Sequence, residues 1–375
     1  MTEQGSGTAM GERPLRVVIA GGGTGGHLYP GLAAARELQR RHPDAVVTFA
    51  GTAAGIEARV LPREGVEVDF IRSAGLKGKS PAALARGLLL VPLSALDAWR
   101  VLSRRAPDLV IGVGGYSSGP MALIAALRGI PTMVLEQNAV PGLTNRLLAP
   151  FVRAAAVTFE PALPYFRGKG FVSGNPVRPE FLLGSGRPVE EAPDDVTRVL
   201  IVGGSQGAHA INVAMVEAAP ELVARHARLS ITHQTGERDL DFVRAGYQRA
   251  GLAAQIESFL FAMAREMSRA DVIVCRAGAT TLAELTAVGR AAILVPLPTA
   301  ADDHQRKNAE VLAGAGAAEC LEERALTGSA LVARLLALAG DPARRQAMAD
   351  AARRFARPDA ARVIVDRALA LAKRC

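Results

Sequence analysis

Three short glycine-rich segments each follow an apolar run and lead into a helical pattern. They are Gly21-Gly-Gly-Thr-Gly-Gly26 with His27, Gly112-Val-Gly-Gly-Tyr-Ser-Ser-Gly-Pro120, and Gly203-Gly-Ser-Gln-Gly207. Backbone N–H groups in such turns, with the positive end of the helix that follows, attract phosphate oxygens. One G-x-G-x-x-G is a weak signal; the repetition is far more specific. An NAD site would need an acidic residue at the end of the second strand to hold a ribose. That strand ends Phe49-Ala-Gly-Thr52, with no acid before Glu57. Gly203-Gly-Ser205-Gln-Gly207 also matches the nucleophile elbow of α/β-hydrolases, with Asp302 and His304 as nominal partners. A hydrolase has one elbow on one sheet, however, and does not predict the matching loop at Gly21. Gly78-Lys-Ser80 is not a P-loop, because Ser73 stands where the motif needs glycine.

Other polar clusters point to a nucleotide sugar. Arg276-Ala-Gly-Ala-Thr-Thr-Leu-Ala-Glu284 follows a strand and opens a helix. Its N-terminus can face a diphosphate, and Glu284 can accept both hydroxyls of a ribose. Asp302-Asp-His-Gln-Arg-Lys-Asn308 is dense in hydrogen-bonding side chains, as a sugar with many hydroxyls requires. Asp239-Leu-Asp241 matches the D-x-D of metal-dependent sugar transferases. It lies where acids ordinarily start a helix, so no metal site is expected.

These residues need strands and helices to hold them. Apolar strand candidates are residues 15–20, 46–50, 66–71, 109–113, 132–135 and 154–158, alternating with helical stretches. The pattern restarts with strand candidates at 198–202, 229–232, 272–275, 292–295 and 317–321. Near-continuous apolar strands alternating with helices indicate parallel sheets covered on both faces. The expected fold is α/β, with two doubly wound domains. Gly184-Ser-Gly-Arg-Pro188 through Asp195 reads as the linker, and from Asp341 the chain looks helical to its end with a break at Pro358.

Composition sets the outer limits. A chain of 375 residues accommodates two or three domains, and 49% hydrophobic with 21% charged residues excludes wholesale disorder. The net charge of +8 suits a phosphorylated ligand, an anionic membrane surface or a nucleic acid without choosing among them. Nucleic acid is disfavoured by the scarcity of aromatic residues in the basic C-terminal stretch, where Phe355 stands alone. Cys275, Cys320 and Cys375 show no C-x-x-C spacing, which fits a reducing compartment. Residues 1–14 lack the apolar core of a signal peptide, and the apolar stretch Gly87–Leu96 is too short to span a bilayer. Within residues 72–105, Arg72, Lys77, Lys79, Arg86, Arg100, Arg104 and Arg105 face a single Asp97 around Leu88-Leu-Leu-Val-Pro-Leu93. Apolar side chains flanked by cations suit an anionic membrane surface.

Taken together, Gly22–His27 with Pro30, Gly114–Pro120, Glu136-Gln-Asn138, Gly174-Asn-Pro-Val-Arg178, Gly203–Ala208 with Asn212, Arg276–Ala279 with Glu284, and His304-Gln305 resemble the MurG family. These are the N-acetylglucosaminyltransferases of bacterial peptidoglycan synthesis. The resemblance runs from about Leu15 to the C-terminus and implies a GT-B fold, two Rossmann-like domains facing across a cleft. It implies a tail at 1–14, an acceptor and membrane-facing domain at 15–183, a linker at 184–196, a UDP-GlcNAc-binding domain at 197–356, and a helix at 357–375 returning to the first domain. The implied reaction transfers GlcNAc, with inversion, from UDP-GlcNAc to the C4 hydroxyl of MurNAc-pentapeptide-diphosphoryl-undecaprenol (lipid I to lipid II). Donor contacts implied by the resemblance are Thr24, Gly25, Gly26, Asn138, Arg178, Ser205, Leu260, Ala279, Thr280, Thr281, Leu282, Ala283, Glu284 and Gln305. His27, Tyr116 and Glu136 fall on the acceptor side, with His27 the favoured base and Glu136 its rival. No cofactor or metal is implied. Partners are lipid I, an anionic membrane at residues 72–105 and other cell-wall synthesis proteins, at the cytoplasmic face of the plasma membrane. His209 departs from the arginine of some relatives. Competing readings are another GT-B glycolipid synthase, such as a diacylglycerol glucosyltransferase, or a non-catalytic nucleotide-sugar-binding partner of a membrane protein.

Overall fold

The computed structural model describes residues 13–73, 81–183, 196–204, 206–225 and 228–373, with backbone alone for 81–89 and 183. The expected tail (up to residue 12), the linker (184–195), Lys77, Lys79 and Ser205 lie outside the described residues.

Two parallel sheets organise the chain. The first contains β1 (Arg16–Gly21), β2 (Val46–Gly51), β3 (Val68–Phe70), β4 (Leu109–Gly114), β5 (Thr132–Glu136), β6 (Ala154–Val157) and β7 (Gly170–Val172), in the order 3-2-1-4-5-6-7. Its helices are α1 (Gly25–Arg41), α2 (Glu57–Val60), α3 (Pro81–Arg105), α4 (Ser118–Leu127) and α5 (Leu143–Leu148). The second contains β8 (Thr197–Val202), β9 (Leu229–Gln234), β10 (Ala254–Glu257), β11 (Val272–Cys275), β12 (Ala291–Leu294) and β13 (Glu319–Cys320), in the order 10-9-8-11-12-13. With it go α6 (Pro179–Leu183), α7 (His209–Ala224), α8 (Leu240–Ala250), α9 (Met263–Arg269), α10 (Ala279–Val288), α11 (His304–Gly314), α12 (Gly328–Ala339) and α13 (Pro342–Arg353). Phe181 of α6 is buried in the second half's core beside Leu282 and Leu285, although the sequence reading leaves this helix with the first half.

Every strand pairing is parallel, so each sheet has a point where the strand order reverses. That point lies between β1 and β4 in one half and between β8 and β11 in the other. Crevices at the carboxyl ends of strands around such a point are where open α/β sheets bind ligands. The glycine loops after β1, β4 and β8, and the Arg276–Gly278 turn after β11, all sit there.

The last helix, α14 (Ala360–Ala372), packs on α1 and not on the second sheet. Ile364, Val365 and Leu371 are buried in the first half's core with Leu28, Leu38 and Ile111. Each such side chain contributes about 1.5–3 kcal/mol on burial. The chain thereby crosses between the halves a second time, which restrains how far they can swing apart.

Candidate active site

The loops after β1 and β5 meet the loops after β11 and β12. Three contacts define the seam. A methyl group placed on Gly26 would come within 3.8 Å of Thr280 Oγ1. Asn308 of α11 donates to Asn138 Oδ1 at 3.1 Å and accepts from the Ala139 amide at 2.8 Å. Arg146 of α5 lies 3.7 Å from Asp302.

His27 sits in the first turn of α1, pointing toward β4. The approach is close enough that a side chain on Gly114, whose φ is +94°, would strike the imidazole at 2.8 Å. Nδ1 of His27 lies 3.3 Å from Gln137 Oε1, while Gln137 Nε2 donates to the Val113 carbonyl at 3.2 Å. The second bond orients the Gln137 amide so that its oxygen faces the ring. Nδ1 therefore carries the proton, and Nε2 keeps its lone pair. Burial pulls the imidazole pKa below its ordinary 6.5; Gln137 opposes this and His304 across the seam reinforces it. A neutral imidazole with a free Nε2 is what a general base requires.

Glu136, the rival base in the sequence reading, is buried and fully engaged. Oε1 accepts from the Asn138 backbone and side-chain nitrogens, and Oε2 accepts from the Gly142 amide and from Asn145 Nδ2. Burial raises its pKa, and these bonds hold it back. A carboxylate with four donors holds the 137–142 loop in shape and has little capacity left to take a substrate proton. Tyr116, in the second glycine loop, is 56% exposed, and its carbonyl accepts from Ser73 Oγ at 2.8 Å.

Across the seam, α10 begins at Ala279 with no side-chain cap on its N-terminus among the described residues. Its first amides are left for a ligand. The Thr280 hydroxyl is buried there without a partner among the described residues. Arg178 and Glu284, singled out separately in the sequence, form one ion pair: Nη2 to Oε1 at 3.0 Å. Burial raises the Glu284 pKa, and Arg178 opposes the shift. The Arg178 guanidinium also stacks 4.7 Å over Phe181. Gln305 Oε1 accepts from the Ala277 and Leu297 amides, leaving its Nε2 protons as what it can offer a ligand. The Leu260 amide donates to Gln234 Oε1 at 2.9 Å, and Gln234 Nε2 donates to the Gly204 carbonyl at 2.9 Å. Gln234 thus ties the third glycine loop to the Leu260 segment. Thr281, Leu282 and Ala283 continue the first turns of α10, with Leu282 in the core.

Some expectations are reassigned by these contacts. Asn308, read from sequence as one of a sugar-binding cluster, is completely buried and committed to the seam, with a further bond from Nδ2 to the Ala277 carbonyl at 3.3 Å. Asp239 accepts from Asn212 Nδ2 at 2.8 Å and pairs with His209 Nδ1 at 3.0 Å, whereas the Asp241 side chain is 99% exposed. The D-x-D acids therefore diverge. Among the described residues, no three His, Cys, Asp or Glu side chains group as a metal site. In the basic segment, Arg72 is held by Asp97, while Arg104 and Arg105 are held by Asp69, with Glu67 also on Arg105. Asp69 and Glu67 fall just before the 72–105 window, so its charge excess is partly neutralised. Val91, Leu93, Leu96 and Trp99 of α3 are exposed instead. Among the described residues no helix is long and apolar enough to cross a membrane.

Gln137 and Gln234 received no role of their own from sequence, and the role of Asn308 in the seam was not foreseen. Each works through side chain–backbone bonds between segments far apart in the chain, which no local spacing reveals.

Residues 17–157 match the glycosyltransferase family 28 N-terminal domain, and residues 198–364 match the glycosyltransferase family 28 C-terminal domain. A relative from Anaeromyxobacter sp. (strain K), named UDP-N-acetylglucosamine–N-acetylmuramyl-(pentapeptide) pyrophosphoryl-undecaprenol N-acetylglucosamine transferase, is 47% identical over 96% of this chain and 94% of its own. The protein of the same name from Geobacter sulfurreducens is 45% identical over 95% of this chain and 98% of its own. The crystal structure of Acinetobacter baumannii MurG superposes with a TM-score of 0.80 at 33% identity, covering 95% of this chain and all of that one. With its two halves matched in order and its whole length paralleled by such relatives, the chain belongs to glycosyltransferase family 28 and, within it, to the MurG family of GT-B enzymes.

Proposed function

We propose that this chain transfers GlcNAc from UDP-GlcNAc to the C4 hydroxyl of MurNAc-pentapeptide-diphosphoryl-undecaprenol, with inversion. The observation that carries this reading is the juxtaposition across the seam. An uncapped helix N-terminus with an unpartnered Thr280 hydroxyl faces the first glycine loop, whose next residue is a neutral histidine with a free Nε2. The family relationship supplies the substrate pair.

His27 Nε2 takes the proton of the acceptor hydroxyl as it attacks the anomeric carbon. The departing UDP carries negative charge, which the α10 amides and Arg178 meet as preorganised donors. Glu284, released from Arg178 or through its other oxygen, accepts the ribose hydroxyls. Gln305 offers its Nε2 protons to the sugar. Glu136 keeps the Asn138 loop closed on the seam. No metal or cofactor is assigned a step.

The acceptor's isoprenoid places the reaction at a bilayer. The exposed Val91, Leu93, Leu96 and Trp99 face of α3, beside the exposed Arg100, supports peripheral docking at the cytoplasmic face of the plasma membrane. The test is incubation with UDP-GlcNAc, UDP-Glc or UDP-GalNAc and a short-chain lipid I analogue, with and without EDTA. Selective use of UDP-GlcNAc that persists in chelator is expected. Glucosyl transfer to diacylglycerol, or UDP binding with no turnover, would overturn the reading.

A further inference from the structure

Glu57 is completely buried, and among the described residues no Lys, Arg or His lies within ion-pairing distance of it. A carboxylate buried without a cation is costly unless hydrogen bonds replace its water. All the bonds found here are accepted ones. The Gly23 amide donates to Oε2 at 2.7 Å; the Thr52 amide and hydroxyl donate to Oε1 at 2.8 and 3.0 Å. Three glycines make room for the group. A methyl on Gly22 would lie 2.5 Å from Oε2, one on Gly55 2.2 Å from Oε2, and one on Gly51 2.5 Å from Cγ. Gly51 and Gly55 have no left-handed φ to explain them, so the space they leave for Glu57 is what their identity provides.

An anion is thus already seated in the first glycine loop, and it belongs to the protein. Where a nucleotide-binding loop turns such an amide toward phosphate, Gly23 turns it to Glu57. On its far side the loop lies backbone to backbone on the second one: the Gly22 amide donates to the Gly114 carbonyl at 3.3 Å, and a methyl on Gly115 would meet the Gly22 carbonyl at 2.4 Å. The loop is therefore clamped from both sides one turn before His27.

We propose that Glu57 is a positioning residue: by holding the Gly23 amide it sets the first glycine loop so that His27 faces the acceptor. This deepens the proposed function and rests on its placing the acceptor side at that loop. The carboxylate acts through Gly23 and, through space, by raising the His27 pKa; it does not touch substrate. Arg178, Glu284 and the α10 amides, which carry most of the proposed donor contacts, belong to the other half and lie outside its reach.

The isosteric Glu57→Gln tests this directly, because a Gln amide placed to accept from Thr52 turns its NH2 toward the Gly23 N–H. The expected result is kcat reduced at least tenfold and a raised KM for the lipid I analogue, with the Kd of UDP measured by calorimetry within twofold of wild type. Thr52→Val weakens the same pocket without touching Gly23 and should keep kcat within threefold. Should Glu57→Gln fail to accumulate, Gly55→Ala, which presses on Oε2 from the other side, must show the same split. A wild-type kcat and acceptor KM in Glu57→Gln or Gly55→Ala, with only a lowered melting temperature, would make the carboxylate structural and overturn the proposal. So would an equal loss of UDP binding. Failure of the base assignment reads separately: it is signalled by His27→Gln retaining wild-type kcat, whatever Glu57→Gln does.

Discussion

Gln137 Oε1 lies 3.3 Å from His27 Nδ1, and the Val113 carbonyl holds the Gln137 amide in the orientation that makes this oxygen the acceptor. One contact thus selects the His27 tautomer with Nε2 unprotonated. Because burial lowers the His27 pKa below 6.5, the active neutral form dominates at pH 7, and the acid limb of the kcat profile should fall below pH 6.5. Gln137 raises that pKa, so Gln137→Leu should move the limb to still lower pH while reducing kcat about tenfold through the lost tautomer control. His27→Gln should cost the ~10²–10⁴-fold typical of general bases. Steady-state rates from pH 5 to 9 check both.

The Arg178–Glu284 pair predicts coupled donor defects. Hydrogen bonds to a charged group contribute about 1.5–3 kcal/mol. Glu284→Gln should therefore raise the Kd of UDP roughly tenfold to a hundredfold. Arg178→Lys keeps the charge but not the planar fork, and should recover only part of what Arg178→Ala loses. Isothermal titration with UDP reads all three.

Asn308 joins the halves through Asn138 and Ala139 and is anchored in its own half on the Ala277 carbonyl. Asn308→Leu would bury an unsatisfied Ala139 amide and Ala277 carbonyl, a loss of about 2–4 kcal/mol. Denaturant unfolding should show the unfolding free energy lowered by that amount, with kcat falling more than donor affinity because the seam aligns two binding sites.

His233 predicts an acid-labile second half. Its Nε2 donates to Asn212 Oδ1 at 3.0 Å, and Tyr247 OH donates to Nδ1 at 2.9 Å, an arrangement only the neutral ring satisfies. Burial lowers its pKa to about 3. The unfolded chain binds the proton more readily, so stability present above pH 6.5 is lost as the pH falls toward 3. The full loss is on the order of 5 kcal/mol. His233→Gln should be less stable at pH 7 yet show a shallower decline, measured by unfolding at pH 7, 6 and 5.

Membrane docking should depend on apolar contact as well as charge. Leu93→Glu with Leu96→Glu places two anions on the exposed α3 face and should weaken sedimentation with anionic vesicles by tenfold or more. Turnover of a soluble acceptor should stay within twofold. Lys77→Glu with Lys79→Glu should weaken vesicle binding mainly at low salt, since charge alone is screened.

The sheets, their parallel sense and the glycine loops were legible because near-continuous apolar strands such as Val17–Ala20 and Val272–Cys275 leave few alternatives. Two edge strands were not. Gly170–Val172 is a three-residue run between glycines, and Ala254–Glu257 alternates polar residues because one side faces solvent. The glycine loops also marked the switch points, since a tight strand-to-helix turn needs residues without Cβ at a few local positions.

What the chain alone determines, then, is local: which runs bury as strands, where helices open toward anions, and which family those loops resemble. Tertiary structure decides the partnerships. Glu57 shows the difference plainly, an acid too late in the chain for a ribose ligand until folding brings it 2.7 Å from the Gly23 amide. Arg178 meets Glu284, Asn138 meets Asn308, and Glu136 saturates itself on its own loop, because hydrogen bonds act over about 3 Å of space and are indifferent to separation along the chain.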